Sequence, residues 1–299
     1  MEISQSKQDV IQKTKQYKKR SQILEVWRRL KRNKAALIGL AIVILLFLMV
    51  IFADVLYDYK GVVIKQNIPN RLQHPSLAHP FGTDELGRDM LARIIHGGRM
   101  SLSISLVSVA FSLLIGGSLG AITGYFGGRI DMVIMRIMDI FLAIPPTLLA
   151  ITIVAALGPS TINLVIALAV SSVPTFSRIV RGSVLMVRDV EFIEAAKAIG
   201  ATNRTIIIEH ILPNSFAPVL VQTTLSVAVM ILTTAGLSFL GLGVQVPTPE
   251  WGFMLSSGRT YIRDHSYLTL FPGLAIMATI LSLNLLGDGL RDALDPRLK

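Results

Sequence analysis

The sequence predicts an all-α membrane protein with six transmembrane helices and both termini in the cytoplasm. Three observations carry this expectation. Of 299 residues, 52% are hydrophobic and only 16% charged, with a mean hydropathy of +0.60; a soluble domain is nearer a quarter charged. Six stretches approach the roughly 20 apolar residues that cross a bilayer. The lysines and arginines are also unevenly divided between the ends of those stretches. With the N-terminus inside, 21 of the 29 fall on inside segments and 8 on outside ones, which is the positive-inside distribution.

The elements follow in order. Residues 1–34 hold eleven of the 29 basic residues, a composition suited to a cytoplasmic tail with an amphipathic segment held near anionic lipid heads rather than to nucleic acid. This polar stretch before the first apolar run does not read as a cleaved signal. Ala35–Ala53 (AALIGLAIVILLFLMVIFA) is the clearest span. An extracytoplasmic loop over 54–100 follows, then the spans Leu102–Phe126, Val133–Leu157, Ile162–Phe176, Phe216–Leu240 and Leu268–Leu290. Residues 101–299 thus form the core, with a cytoplasmic loop over 177–214. The third span carries Arg136 and Asp139 near its start and Pro145-Pro146 at its middle, so its charges belong near the interface or against other helices.

Span two places Ser108, Ser112, Gly116, Gly120 and Gly124 four residues apart. Small residues at that spacing form a shallow groove into which another helix fits closely, so these positions are expected to pack helices.

Little in the chain suggests covalent chemistry. It has no cysteine, which excludes disulfides, thiolate metal sites and cysteine nucleophiles. HExxH, GxSxG and the phosphate-cradling GxxxxGK[ST] are absent. No catalytic residue and no metal ligand is therefore assigned, and ATP, if it drives the protein, must bind another subunit. In the outer loop Asp84, Glu85 and Asp89 lack the alternating twelve-residue calcium pattern. They read as a turn at Gly82 and a helix start capped by Thr83 or Asp84. His74, His79 and His96 are too scattered for a metal site.

The segment EFIEAAKAIGATNRTIIIEHILPN (191–214) differs from the rest. Its charges would each cost about 2.5–3.5 kcal/mol at mid-bilayer, which keeps it outside the membrane. Asp189 is placed to cap a helix, Glu191 to complement its dipole, and Glu194–Lys197 to pair at i,i+3. Phe192, Ala195, Ala196 and Ile199 share one helical face. Gly200 fits a left-handed stop, Thr202 or Asn203 a second cap, and Ile206–Ile208 with Ile211–Leu212 the apolar side of a second helix before Pro213. Two capped helices in so long a loop suggest a docking element.

Glu194-Ala195-Ala196, then Gly200, then Leu212-Pro213 resembles the EAA motif of ABC-importer permeases, with His210 where the general motif has isoleucine, as in the peptide branch. WRRLKRNKAALIGL, FGTDELGRDMLARIIHGGRMSLSIS and LSFLGLGVQVPTPEWGFMLSSGR are similar to the C-type permease of dipeptide, oligopeptide and nickel transporters. Thr234 departs from the many relatives with a nearby acidic residue. The resemblance implies a type I ABC-importer permease fold in a bacterial cell membrane, without an ATPase site or cofactor of its own. It implies a second, non-identical permease subunit, two ATP-binding subunits and an extracytoplasmic substrate-binding protein. Glu191, Glu194, Ala195, Ala196, Gly200, Leu212 and Pro213 would couple to the ATPase, with Gly200 setting the bend. Di- or oligopeptides are the expected cargo, with nickel or another small solute as the alternative. An ion-gradient secondary transporter would instead need ionisable groups at mid-membrane and inverted halves, and an intramembrane hydrolase lacks its residue constellations.

Overall fold

The computed structural model describes residues 22–294; the basic residues within 1–21, Arg297 and Lys299, all part of the charge count, lie outside them. Every regular element among the described residues is helical. A short amphipathic helix, Gln22–Leu30, leads into span one, Lys34–Ile51, whose first turn is capped by Asn33 accepting from the Ala36 N–H at 3.1 Å. Short turns (Ala53–Leu56, Tyr59–Val63, Ile68–Asn70) cross the outer loop.

Span two, Met90–Phe126, is 37 residues long, about 55 Å at 1.5 Å per residue against a hydrocarbon core of about 30 Å. It begins twelve residues before the expected Leu102. The cap is Asp89, which accepts from the Ala92 N–H at 2.9 Å, and not Thr83 or Asp84. Those two are buried below the helix start: the Thr83 carbonyl accepts from the Tyr267 hydroxyl, and Asp84 pairs with Arg88 at 2.6 Å and Arg93 at 3.3 Å. Glu85 lies 3.4 Å from Arg88 and His79 lies 2.8 Å from Asp89. The acidic loop residues are thus held by neighbouring cations, by His79 and by the helix start, so this loop is a closely tied cap on one end of the bundle.

Span three is broken into Gly128–Leu142 and Pro146–Leu157, bent by 83°. Pro146 has no N–H to continue the ladder, and the residue before a proline is driven out of helical conformation. Span four, Thr161–Leu185, runs nine residues past the expected Phe176. Its arginines are tolerated because Arg181 forms a bidentate pair with Asp131 (2.5 and 2.6 Å) and Arg178 reaches Asp139 at 2.8 Å. Spans five and six are Phe216–Phe239 and Tyr267–Leu294, joined through the outer helix Trp251–Gly258.

The packing of spans two and four is the most extensive in the described structure. A Cβ added to Gly116 would lie 2.5 Å from the Val173 carbonyl, and one on Gly124 2.9 Å from Val184 Cβ. The Ser112 hydroxyl donates to the Ala169 carbonyl at 2.9 Å. The small-residue stripe therefore packs helices, as its spacing predicts.

Contacts also fix which ends lie together. Leu30 and Ala36 pack on Ala293, while Val50 packs beside Gly98 and its carbonyl accepts from Arg99. The first and last described helices therefore meet at one end of the bundle, and span two descends to that same end at Phe126. The opposite end carries the cap formed by the 54–100 loop, where the Arg99 hydrogen bond holds the Asp54 carboxyl below the usual carboxylate range.

Candidate coupling surface

The 191–214 segment sits at the end of the bundle that also holds residues 30 and 293. Its first helix, Glu191–Ala198, starts without a side-chain cap: Val190 holds the N-cap position, and Asp189 pairs with Arg188 at 3.2 Å instead. Arg188 also donates to the Gly124 carbonyl at 2.9 Å, tying the turn before this helix to the end of span two. Glu191 and Glu194 both lie in the first turn, where carboxylates favour the positive end of the helix dipole.

Ile193 and Ala196 form the buried face. They join Ala121 of span two, Val180 and Val184 of span four, and Ile206 and Ile211 in one apolar cluster. The stripe expected from the sequence is therefore split. Ala196 turns inward, while Phe192 (42% exposed), Ala195 and Ile199 (85% exposed) turn out. Only one of the two overlapping apolar faces of this helix reaches the bundle, and Ile193, 0% exposed, anchors it. Lys197 lies 5.9 Å above the Tyr125 ring, a cation–π distance, rather than bridging to Glu194. The Tyr125 hydroxyl donates to Asn203 at 2.7 Å, so one aromatic side chain at the end of span two holds both helices.

Gly200 has φ +83°, the left-handed region that favours glycine. Thr202 caps the next stretch through the Thr205 N–H at 3.3 Å. That stretch, 203–214, widens into π-type turns over Ile206–Ile211 before Leu212–Asn214. Pro213 has no N–H to return to Glu209, and the Leu212 N–H bonds five residues back to the Ile207 carbonyl. Ile206 and Ile211 are buried, whereas Ile208 and Leu212 are exposed.

Of the residues singled out in the sequence, Glu191, Glu194, Ala195 and Gly200 are brought together on one exposed surface. Ala196 is an internal packing residue. Leu212 and Pro213 stand exposed at the entry to span five. Sequence reasoning missed Tyr125 and Ile193; the i,i+3 pairing of Ile193 with Ala196 was the available signal for the second. It also missed Glu250, which is 0% exposed in the outer cap and accepts from Ser101, Gly252 and Phe253 at 2.9–3.0 Å. Among the described residues no three His, Asp or Glu side chains gather as a metal site.

Comparisons with known proteins agree with this architecture. Residues 116–299 match the family of binding-protein-dependent transport system inner membrane components, and residues 21–75 match the N-terminal TM domain of oligopeptide transport permease C. The chain is 51% identical to the dipeptide transport system permease protein DppC of Alkalihalophilus pseudofirmus, over 92% of this chain and 90% of the relative. It is 44% identical to the di/tripeptide transport system permease protein DppC of Pseudomonas aeruginosa, over 93% of both. It is also 44% identical to the glutathione transport system permease protein GsiD of Pectobacterium atrosepticum, over 92% and 91%. Its fold is similar to that of the MetNI methionine ABC transporter in an inward-facing conformation (TM-score 0.57, 19% identity, 69% of this chain and 98% of that one). Five long apolar helices with a sixth, bent pair, a docked helix–glycine–helix at one end and these matches lead to one conclusion: the chain is a multi-pass membrane protein of the binding-protein-dependent transport system inner membrane component family.

Proposed function

We propose that this chain is one of two non-identical permease subunits of an ATP-driven importer for di- or oligopeptides. Of two ATP-binding subunits in the assembly, one docks on the 191–214 surface of this chain, which lies on the cytoplasmic side with both termini, and a substrate-binding protein meets the opposite end. The observation that carries the reading is the mechanical one. The helix Glu191–Ala198 is fixed through Ile193, Ala196, Tyr125 and Arg188 to spans two and four, yet presents Phe192, Ala195 and Ile199 to solvent. A push on this exposed face is transmitted to two spans that are already packed backbone against backbone. The charge count supports the cytoplasmic placement. The peptide assignment is supported by relatives named for dipeptides, for di- and tripeptides, and for glutathione. The chain supplies the path and the lever; ATP is hydrolysed on its partners, and no residue here forms a covalent intermediate.

The test is uptake of a labelled dipeptide by membranes holding the whole assembly. Ile199→Asp and Gly200→Trp should abolish ATP-dependent uptake and ATPase co-purification while leaving the chain in the membrane. A Cβ at Gly200 meets nothing within 4 Å, so a bulky residue there clashes with nothing in this chain but strains the backbone at φ +83°; Ile199→Asp carries no such strain and tests the partner contact alone. Unchanged uptake in both variants would refute the coupling role, and uptake by this chain alone on an ion gradient would refute the ABC assignment.

A further inference from the structure

A cavity of about 230 Å³ lies between spans one, two, five and six. Span one lines it with Val43, Leu46 and Phe47, span two with Leu102 and span six with Leu283. Three threonines interrupt this apolar wall, but their hydroxyls are already used inside their own helices. Thr223 donates to the Val219 carbonyl at 2.7 Å, Thr224 to that of Leu220 at 3.0 Å and Thr279 to that of Ala275 at 2.7 Å. No charged side chain among the described residues lines the cavity. Its wall therefore offers a ligand carbon surface and few hydrogen bonds. A hydrated solute would lose its water without replacement here. A hydrocarbon chain would not: an engineered apolar cavity of about 150 Å³ stays dry and takes up apolar molecules.

The cavity is open on one side. Of the four seams around it, the one between spans one and two is the least packed. These helices meet at Val50 and Gly98. Leu106, two turns further along span two, lines the cavity and is 38% exposed. The seams of span six are tight by contrast. A Cβ added to Gly39 of span one would lie 2.7 Å from the Ser282 carbonyl, and one on Gly287 would lie 2.6 Å from Leu225 of span five.

The start of span one is basic. Arg28, Lys31, Arg32 and Lys34 are exposed there, and none has a carboxylate partner among the described residues. Asp288 and Asp292, the exposed carboxylates of span six at this end, are outnumbered. Lys31 lies 5.1 Å over the half-exposed Trp27 ring, an amphipathic pairing suited to a headgroup layer. Val43 and Phe47 follow Lys34 by nine and thirteen residues, or about 14 and 20 Å along the helix. Half of a hydrocarbon core of about 30 Å gives acyl chains a comparable reach.

We propose that this cavity and the basic start of span one together form a binding site for an anionic phospholipid. One acyl chain enters through the seam between spans one and two and fills the cavity, while the headgroup rests on Arg28, Lys31, Arg32 and Lys34. The lipid completes the seating of span one on the bundle. The site is separate from the 191–214 surface and does not depend on the identity of the cargo.

The test uses the assembled transporter in phosphatidylcholine vesicles holding a trace of phosphatidylglycerol with a photoreactive diazirine on one acyl chain. Labelled positions are mapped by peptide mass spectrometry. Leu102 and Leu283 should be labelled more strongly than Leu45 and Leu48 on the exposed side of span one. Unlabelled phosphatidylglycerol should compete better than added phosphatidylcholine, and Lys31→Gln with Arg32→Gln should weaken that preference about fivefold for each charge removed. Val43→Trp fills the cavity and should abolish labelling of Leu102 and Leu283, whereas Ile44→Trp, on the exposed side, should leave it unchanged. The two glutamine substitutions lie outside the cavity, so they decide the matter even where Val43→Trp fails to assemble. Labelling of Leu102 and Leu283 no stronger than that of the exposed leucines, or equal competition by the two lipids, overturns the site. Displacement of the label by dipeptide assigns the cavity to cargo and overturns it as well.

Discussion

Gly117 and Gly120 stand three residues apart on span two, yet the structure gives alanine opposite effects at the two positions. At Gly120 an added Cβ runs into the Ser177 carbonyl and lies 2.9 Å from the Arg181 N and 3.0 Å from Val180 Cβ. All three belong to the backbone or its first carbon, so none can rotate away. Restoring a carbon contact of 3.5–4.0 Å requires spans two and four to part by about 0.5–1 Å, which forfeits a quarter to a half of the dispersion along the seam. The Ser112–Ala169 bond, 2.9 Å long, would stretch past hydrogen-bonding range. Overpacking costs about 1–3 kcal/mol, and a lost interhelical hydrogen bond in a membrane about 0.6 kcal/mol. Alanine's helix propensity returns about 1 kcal/mol. The net for Gly120→Ala is about 0.6–2.6 kcal/mol of destabilisation. At Gly117 the added Cβ meets only Leu113 Cδ1 at 3.5 Å and Val180 Cγ2 at 3.8 Å, ordinary contacts, so Gly117→Ala should stabilise by up to about 1 kcal/mol. Reversible unfolding in mixed micelles titrated with SDS, followed by circular dichroism, measures both. If the two variants agree within about 0.5 kcal/mol, the scatter of neutral substitutions, the tight seam between spans two and four is wrong.

Further predictions concern the cap at the 54–100 end and the 191–214 segment. Arg88→Met leaves the buried Asp84 its backbone bonds from Leu86 and residue 88 but only the longer 3.3 Å contact to Arg93 as counter-charge; weakening such a pair should cost up to about 3–5 kcal/mol, read as lost folded yield in detergent. Glu250→Gln keeps one acceptor but turns an amide N–H₂ toward one of three donors, so thermal unfolding should report a loss of about 1–3 kcal/mol. Tyr125→Phe removes the bond to Asn203 but keeps the ring under Lys197; it should cost about 1 kcal/mol, and local hydrogen exchange over 197–205 should rise while global stability scarcely changes. Gly200→Asn should be tolerated better than Gly200→Val, because asparagine enters the left-handed region and a β-branched residue does not; equal uptake by the two would deny the backbone a role there.

The two halves of the problem were unequally legible in the sequence. Apolar length located the five long apolar helices and the bent pair over 128–157, because burial in lipid acts on each segment separately and needs no knowledge of its neighbours. Charge cost and the glycine located the bent helical segment over 191–214 for the same local reason, and the four-residue stripe of small residues announced the close packing of span two. What stayed hidden depended on partners distant in the chain. Span four continues past Phe176 because Asp131 and Asp139, some fifty and forty residues earlier, neutralise its arginines. Asp189 is drawn from its cap position by Arg188, which is itself held by Gly124. The exposed face of Glu191–Ala198 was decided by which of two overlapping apolar stripes met Val180, Val184 and Ala121. The sequence by itself determined which segments enter lipid and where the chain must bend, since transfer energies and backbone strain are properties of single residues. Only the tertiary structure decided which charges are paired and which face is left open, because those are energies between residues that meet after folding.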